Sequence, residues 1–269
     1  MSEGDKRNMK IKELSPKFKQ KFKNSAPDWL FAPVQMLYWV LHSKYFFIKI
    51  FPARGYWIAV YKGERLCVPS PRIAILAHFL ESYKRVYGRY FWVEKDEIVL
   101  DVGAYIGSFT IAVASKAKKV LAIEPDPKNY ACLQANVSKF ANVQTVRKGV
   151  WDSKKELKMY LDSQYPVAHS VVIPPGNKFI EIEVDTLDNI TSELGFNKVD
   201  FIKMNIEGAE LEALQGAKQV LRSAKKVVID AHHVRDGGST CHLVCQLLEA
   251  NGFETCIAKE TETVYAWRK

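Results

Sequence analysis

Long apolar runs are missing from this chain. Its most lipophilic stretch, Trp29 to Leu41, is interrupted by Pro33 and falls well short of the roughly twenty residues needed to cross a bilayer, so no transmembrane helix is expected. The N-terminus is charged from Glu3 onward and shows no apolar core of a secretory leader. Cysteine is scarce and odd in number, five residues at 67, 132, 241, 245 and 256. A disulfide framework is therefore not expected, and a reducing, cytoplasmic location is. No segment repeats at a fixed period, which excludes solenoids and propellers. What remains is ordinary globular composition, 48% hydrophobic and 26% charged over 269 residues, enough chain for one catalytic domain with a smaller appendage.

The net charge of +9 is unevenly spread, because Met1 to Ser25 alone holds eight basic and three acidic residues. Residues 1–25 read as a basic, flexible tail on a nearly balanced body. Residues 26–93 read as an accessory region. Within it Pro27 to Ile50, rich in Trp, Tyr, Phe and Leu, is expected to form one or two helices. Tyr56 to Val60 and Arg65 to Val68 flank Lys62-Gly63 like a short hairpin, and Pro71 to Tyr87 reads as a further helix.

From about residue 94 to 269 the pattern becomes strand, turn, helix, repeated, the signature of an α/β domain with a parallel sheet covered by helices. The strands expected are Ile98 to Val102, Lys119 to Ile123, Val143 to Val150, Phe201 to Met204 and Lys226 to Ala231. Leu157 to Leu161 and Ile180 to Val184 read as extra strands about a Pro174-Pro175-Gly176 turn. The helices expected are Phe109 to Lys116, Pro127 to Phe140, Leu211 to Leu221 and Thr240 to Asn251. Phe253 to Ile257 and Thr263 to Trp267, joined by a short polar loop, predict a terminal antiparallel hairpin.

Val99 to Gly107 is an apolar strand opening onto a loop with Gly103 and Gly107, then a helix. Glycines let a backbone turn sharply and approach a ligand closely. Glu124 ends the next strand, where an acidic side chain can accept both hydroxyls of a ribose. A dinucleotide fingerprint would need glycine at 105 and 108, yet Tyr105 and Ser108 stand there, which disfavours NAD. S-adenosylmethionine carries a carboxylate and a ribose but no phosphate, and fits better. Asp101, Gly103, Tyr105 and Gly107 are expected around its methionine end and Glu124 on its ribose.

At the carboxyl edge of the fourth and fifth strands lie Asn205, Glu207, Asp230 and His232. Glu207 with His232 is suited to accept a proton there, while neutral Asn205 can only orient a bound acceptor or cofactor. Glu210 is expected to face solvent on the first turn of the next helix. No close-spaced ligand motif marks a metal site, and Cys241 and Cys245, one helical turn apart, read as small buried hydrophobes.

Asp101-Val-Gly-Ala-Tyr-Ile-Gly-Ser-Phe-Thr110, Glu124-Pro125, Leu187-Asp188, Asp200 through Glu210 and Leu214-Gln-Gly-Ala217 together resemble the FkbM family of methyltransferases, from about Glu94 to His232. The resemblance implies a Rossmann-like class I methyltransferase sheet and an S-adenosylmethionine cofactor, with Asp152 just beyond the third strand at its adenine and Trp151 able to pack on the ring. It also implies O-methylation of a hydroxyl on a sugar, glycan or other small-molecule acceptor. Family sequences usually have Asn where Tyr105 stands and Asp where Asn205 stands, so position 205 here carries no charge. Two rivals stand beside this reading. One is an RNA methyltransferase held to phosphates by the basic tail. The other is a non-catalytic module lying on a membrane surface through Lys17 to Lys23 and the Trp29 to Phe51 aromatics.

Overall fold

The computed structural model describes residues 48–61, 63–71, 83–161, 169–172, 177–235 and 238–268, with 27, 29, 30 and 33 besides. The expected basic tail, most of the two expected N-terminal helical segments and the Pro174-Pro175-Gly176 turn lie outside these residues. Among them no helix is long and apolar enough to cross a membrane.

Three antiparallel strands come first, β1 (Lys49–Ala53), β2 (Tyr56–Tyr61) and β3 (Glu64–Val68). The hairpin about Gly63 is present, but Lys49 and Ile50 pair with β2 instead of ending a helix. Ile50 is buried there while its neighbours Lys49 and Phe51 are exposed, a period-two pattern that suits a strand. A short helix, α1 (Tyr83–Tyr87), leads into the main domain.

That domain is built on β4 (Ile98–Val102), β5 (Lys119–Ile123), β6 (Val143–Val146), β10 (Phe201–Met204) and β11 (Lys226–Asp230), all parallel. The central strands are apolar and buried on both faces, as helix-covered parallel strands must be. The covering helices are α2 (Ser108–Ala114), α3 (Pro127–Val137), α4 (Leu187–Glu193), α5 (Glu210–Gln215), α6 (Lys218–Ser223) and α7 (Thr240–Ala250). β14 (Glu254–Ala258) and β15 (Thr263–Trp267) close the sheet as an antiparallel hairpin beside β11, giving the order β14-β15-β11-β10-β4-β5-β6. The fold is a Rossmann-like α/β sheet with a terminal hairpin.

This domain also departs from expectation at several elements, among them a short antiparallel ribbon of β12 (Val234–Arg235) and β13 (Gly238–Ser239) that leads into α7. The strand from Val143 ends at Val146, and β7 (Gly149–Val150) crosses to a second sheet with β8 (Lys155–Tyr160) and β9 (Phe179–Asp185). There Gly149 packs so closely on Val184 that a Cβ would lie 2.8 Å from its Cγ1. The single helix expected over Leu211 to Leu221 is two helices broken at Gly216, whose missing Cβ would stand 2.3 Å from the Trp151 carbonyl oxygen. Helix α4, unmarked in the sequence reading, is capped by Thr186, whose hydroxyl accepts from the Asn189 N–H.

Strands β1 to β3 dock on α3. Asn136 accepts from the Cys67 N–H at 2.6 Å and donates to the Cys67 and Ile106 carbonyls, and the Cys67 and Cys132 sulfurs meet in a buried cluster with Leu66 and Ile106. One side-chain amide thus ties the appendage to the loop that follows β4.

Candidate active site

Sheet register creates the site. Val102 pairs with Ile123 on one side and Met204 on the other, and Met204 pairs with Ile229. The next residues, Gly103, Glu124, Asn205 and Asp230, therefore stand in a row along one carboxyl edge. The chain leaves β4 toward β5 and β6, then returns on the other side as β10 and β11. This edge is thus the point where strand order reverses and open α/β sheets bind ligands.

A cleft of about 270 Å³ opens at this edge, near the lower end of the range for small-molecule pockets. Its floor is Gly103, Ala104 and Tyr105; one side holds Glu124 and Asn129, the other Lys203, Asn205, Ile206 and Glu207. Val150, Met159, Val171, Ile182 and Val184 supply an apolar wall. Tyr83 and Tyr87 of α1 also line it, with rings stacked 5.8 Å apart. Burial pushes the Tyr83 phenol up to about 12 and raises that of Tyr87 as well, so both remain neutral hydroxyls.

Gly103 has φ +74, and a Cβ there would meet the Asn205 carbonyl oxygen at 1.9 Å. Only glycine lets the two strand-end loops approach this closely. Beneath them Lys203 donates to Asp101 Oδ1 at 3.0 Å and to the Gly103 carbonyl at 2.8 Å, and the Thr110 hydroxyl donates to Asp101 Oδ2 at 2.6 Å. Both oxygens of Asp101 are thus engaged inside the protein. Asp101, expected around the methionine end of the cofactor, supports the loop from below and is not among the residues that line the cleft. Gly107, at φ +87, likewise faces Leu133 of α3, 2.7 Å from where its Cβ would be.

The buried Glu124 carboxylate accepts from the N–H groups of Tyr105 at 2.9 Å and Asp126 at 3.1 Å, and from the Asn129 amide at 3.3 Å. Burial outweighs these donors and pushes its carboxyl up to about 7. It is thereby fixed to the floor loop at the cleft wall.

Across the cleft, the Glu210 carboxylate is fully buried and accepts from the N–H groups of Ile206 and Gly208, both at 3.2 Å. This corrects its expected solvent exposure. The bonds hold a turn in which Glu207 adopts φ +55, a conformation few non-glycine residues take up without support. The Ser170 hydroxyl fixes the same turn by donating to the Glu207 carbonyl at 2.6 Å. Asn205 leaves its side-chain oxygen buried with no partner.

Asp230 and His232 stand just outside the cleft wall. Asp230 Oδ1 lies 2.9 Å from His232 Nδ1, and this contact pushes the imidazole up to about 9. Glu207 Oε2 is 4.0 Å from His232 Nε2 and 3.4 Å from His233 Nε2. The structure does not bring Trp151 and Asp152 to the cleft. Because β7 turns into the second sheet, Trp151 follows it to bond Asp185, and Asp152 is exposed beside Ser153 and Lys155; Gly149 and Val150 line the cleft in their place. Two other quoted motifs are structural. The Asp188 carboxylate accepts from Gln219 and Val220 at 2.9 Å and caps α6, next to the Gly216 break.

Sequence reasoning missed Lys203, Tyr83, Tyr87 and His169, which all line the cleft. A lysine inside the apolar strand Phe201-Ile-Lys-Met204 was the one available signal, since a buried lysine needs a buried partner.

The methyltransferase FkbM domain matches residues 101–255, more than half of the chain. The chain belongs to the FkbM methyltransferase family. The domain is an S-adenosylmethionine-dependent methyltransferase, and its residues fit that cofactor. Gly103 and Asn205 line the same cleft, the Asn205 side-chain oxygen is buried there without a hydrogen-bond partner, and the buried Glu124 carboxylate shares the cleft with an apolar wall. This FkbM chain is 27% identical over 143 residues to the hexuronic acid methyltransferase AglP of Haloferax volcanii, covering 52% of the chain and 57% of AglP. It is 25% identical over 208 residues to the antimetabolite synthetase AmbE of Pseudomonas aeruginosa, covering 61% of the chain and 10% of AmbE. It thus spans little more than half of one relative and a tenth of the other. Among solved structures, fibrillarin of Aeropyrum pernix with bound S-adenosyl-L-methionine aligns with 81% of the chain and 99% of its own, at a TM-score of 0.45 and 10% identity.

Proposed function

We propose that this FkbM-family chain methylates a hydroxyl oxygen of a sugar or glycan acceptor, with a sugar acid as the first class to test. The observation that carries the reading is the pair of acidic walls on one cleft: Glu124 anchored on one side and Glu207 held by a strained turn on the other. The similarity to a hexuronic acid methyltransferase supports the acceptor class.

When bound, S-adenosylmethionine supplies a methyl carbon activated by its sulfonium. The chain's part is to bind, orient and handle a proton. Gly103, Ala104 and Tyr105 with Asn205 receive the methionine end, Glu124 accepts from the ribose hydroxyls, and Val150, Ile182 and Val184 pack on the adenine. Tyr83 and Tyr87 cover the cleft and exclude water. The acceptor oxygen has to approach opposite the sulfur, so much of the rate comes from positioning. As the new oxygen–carbon bond forms and the carbon–sulfur bond breaks with its electron pair left on sulfur, the hydroxyl proton would pass to the Glu207 carboxylate. Asp230 and His232 orient Glu207 and the acceptor.

The test is product analysis by mass spectrometry after incubation with isotopically labelled cofactor and separate uronic-acid glycan, neutral glycan and RNA fractions. Label on a sugar hydroxyl supports the reading. Label confined to RNA replaces it with the RNA alternative.

A further inference from the structure

We propose that Glu207, His232 and His233 form a binding site for one divalent transition-metal cation at the mouth of the cleft. Glu207 Oε2 and one nitrogen of each imidazole lie within 4.8 Å of one another. The two ring centroids are 4.1 Å apart and the planes tilted by 38°, and the Nε2 atoms of His232 and His233 lie 4.0 Å and 3.4 Å from the same Glu207 oxygen. Two imidazoles and one carboxylate, with remaining positions open, make a donor set suited to zinc, iron, manganese or cobalt.

Three further observations favour a ligand over a simple ion pair. His233 Nε2 is buried and has no hydrogen-bond partner, although Glu207 Oε2 is 3.4 Å away. The two atoms flank a common space without hydrogen-bond alignment. Metal–nitrogen bonds of about 2.0–2.1 Å in tetrahedral geometry put donor atoms about 3.4 Å apart, which this pair already satisfies. The 4.0 Å separation from His232 Nε2 is only slightly wider. Next, His232 Nδ1 meets Asp230 Oδ1 at 2.9 Å, the outer carboxylate–histidine contact that fixes the tautomer of metal-binding imidazoles. Finally, Glu207 reaches this point only through φ +55, held by Glu210 and Ser170. Strain so firmly supported is found where a side chain must be aimed.

The geometry stands by itself; the role rests on the O-methyltransferase reading. The cation would take two acceptor oxygens, such as a hydroxyl and the carboxylate of a sugar acid, at its open positions. It would lower the hydroxyl's affinity for its proton, which passes to the second oxygen of Glu207 as the methyl group is transferred to the hydroxyl oxygen.

The experiment uses the untagged full chain, stripped by a chelator and titrated with Co²⁺. Visible absorption and calorimetry report binding, and S-adenosylmethionine binding reports an intact domain. The expected result is one cobalt per chain with nitrogen–oxygen ligand-field bands. His232→Ala and His233→Ala should each weaken it by at least about 100-fold, and Asp230→Asn by about 10–100-fold. His242→Gln, at an exposed site on α7, should leave it unchanged. No ligand-field bands, or equal binding in the His232→Ala/His233→Ala double variant, would overturn the site. Cobalt bound as expected without sugar methylation would leave the site standing and remove the acceptor reading. Sugar methylation at full rate in chelator, with no cobalt bound, would do the reverse.

Discussion

Replacing Lys203 by methionine removes the only charged partner, among the described residues, of a carboxylate that has no exposed surface. Asp101 is fully buried, Lys203 is 4% exposed, and their charged atoms are 3.0 Å apart. Breaking such a pair from one side leaves an uncompensated charge in a low-dielectric interior, at a cost of about 3–5 kcal/mol. The Thr110 hydroxyl remains on Asp101 Oδ2 and places the loss nearer the lower figure. At about 2–4 °C per kcal/mol for a domain of this size, the melting temperature should fall by roughly 6–12 °C. The Gly103 carbonyl also loses its donor, so cofactor affinity should fall with stability. Differential scanning calorimetry on Lys203→Met, Asp101→Asn and the double variant measures the coupling. The double variant should be more stable than Lys203→Met, because it buries no lone charge. Additive losses, or a Lys203→Met variant as stable as the parent, would refute the view that this pair braces the floor loop.

Gly103→Ala should abolish cofactor binding and lower the melting temperature, since the new methyl would lie 1.9 Å from the Asn205 carbonyl at φ +74; calorimetric titration checks it. Glu124 is held near 7 by burial, so the native chain binds more protons than the unfolded one between about pH 4.5 and 7. Its contribution therefore makes the cofactor-free protein less stable as pH rises through that window, by up to about 1.4 kcal/mol per pH unit. Cofactor affinity should rise from pH 6 to 8 as the carboxylate forms, and Glu124→Gln should flatten both profiles. Asn136→Ala strips partners from Cys67 and Ile106 and should cost about 2–3 kcal/mol in urea unfolding, with β1 to β3 losing amide protection first. Glu207→Gln should lower turnover by about 10²–10⁴ while sparing cofactor affinity, as read by single-turnover kinetics.

The parallel sheet was legible because its strands are short apolar runs, bounded by turn residues and alternating with helical segments. The floor loop and Glu124 were legible because their spacing follows from strand and helix length. Glu210 was not, since helical periodicity carries no information about a preceding turn with inverted backbone at Glu207. Trp151 and Asp152 were misplaced because a continuous Val143 to Val150 run conceals the two-residue break at Arg147-Lys148, after which the chain changes sheet. The internal pairing of Asp101 was not legible, for a different reason. A strand-end carboxylate reads the same whether it points to a ligand or to a lysine 102 positions away, and only the register of β4 against β10 decides between them.

We propose that S-adenosylmethionine occupies this cleft with its ribose on Glu124. Isothermal titration of the cofactor into the parent chain and Glu124→Ala, alongside NAD, tests it most directly. The parent should bind S-adenosylmethionine. Glu124→Ala should weaken it by about 1.5–3 kcal/mol, roughly 10–100-fold, for each charged hydrogen bond lost, and NAD should not bind. Equal affinity in Glu124→Ala, or binding of NAD in place of S-adenosylmethionine, would contradict it.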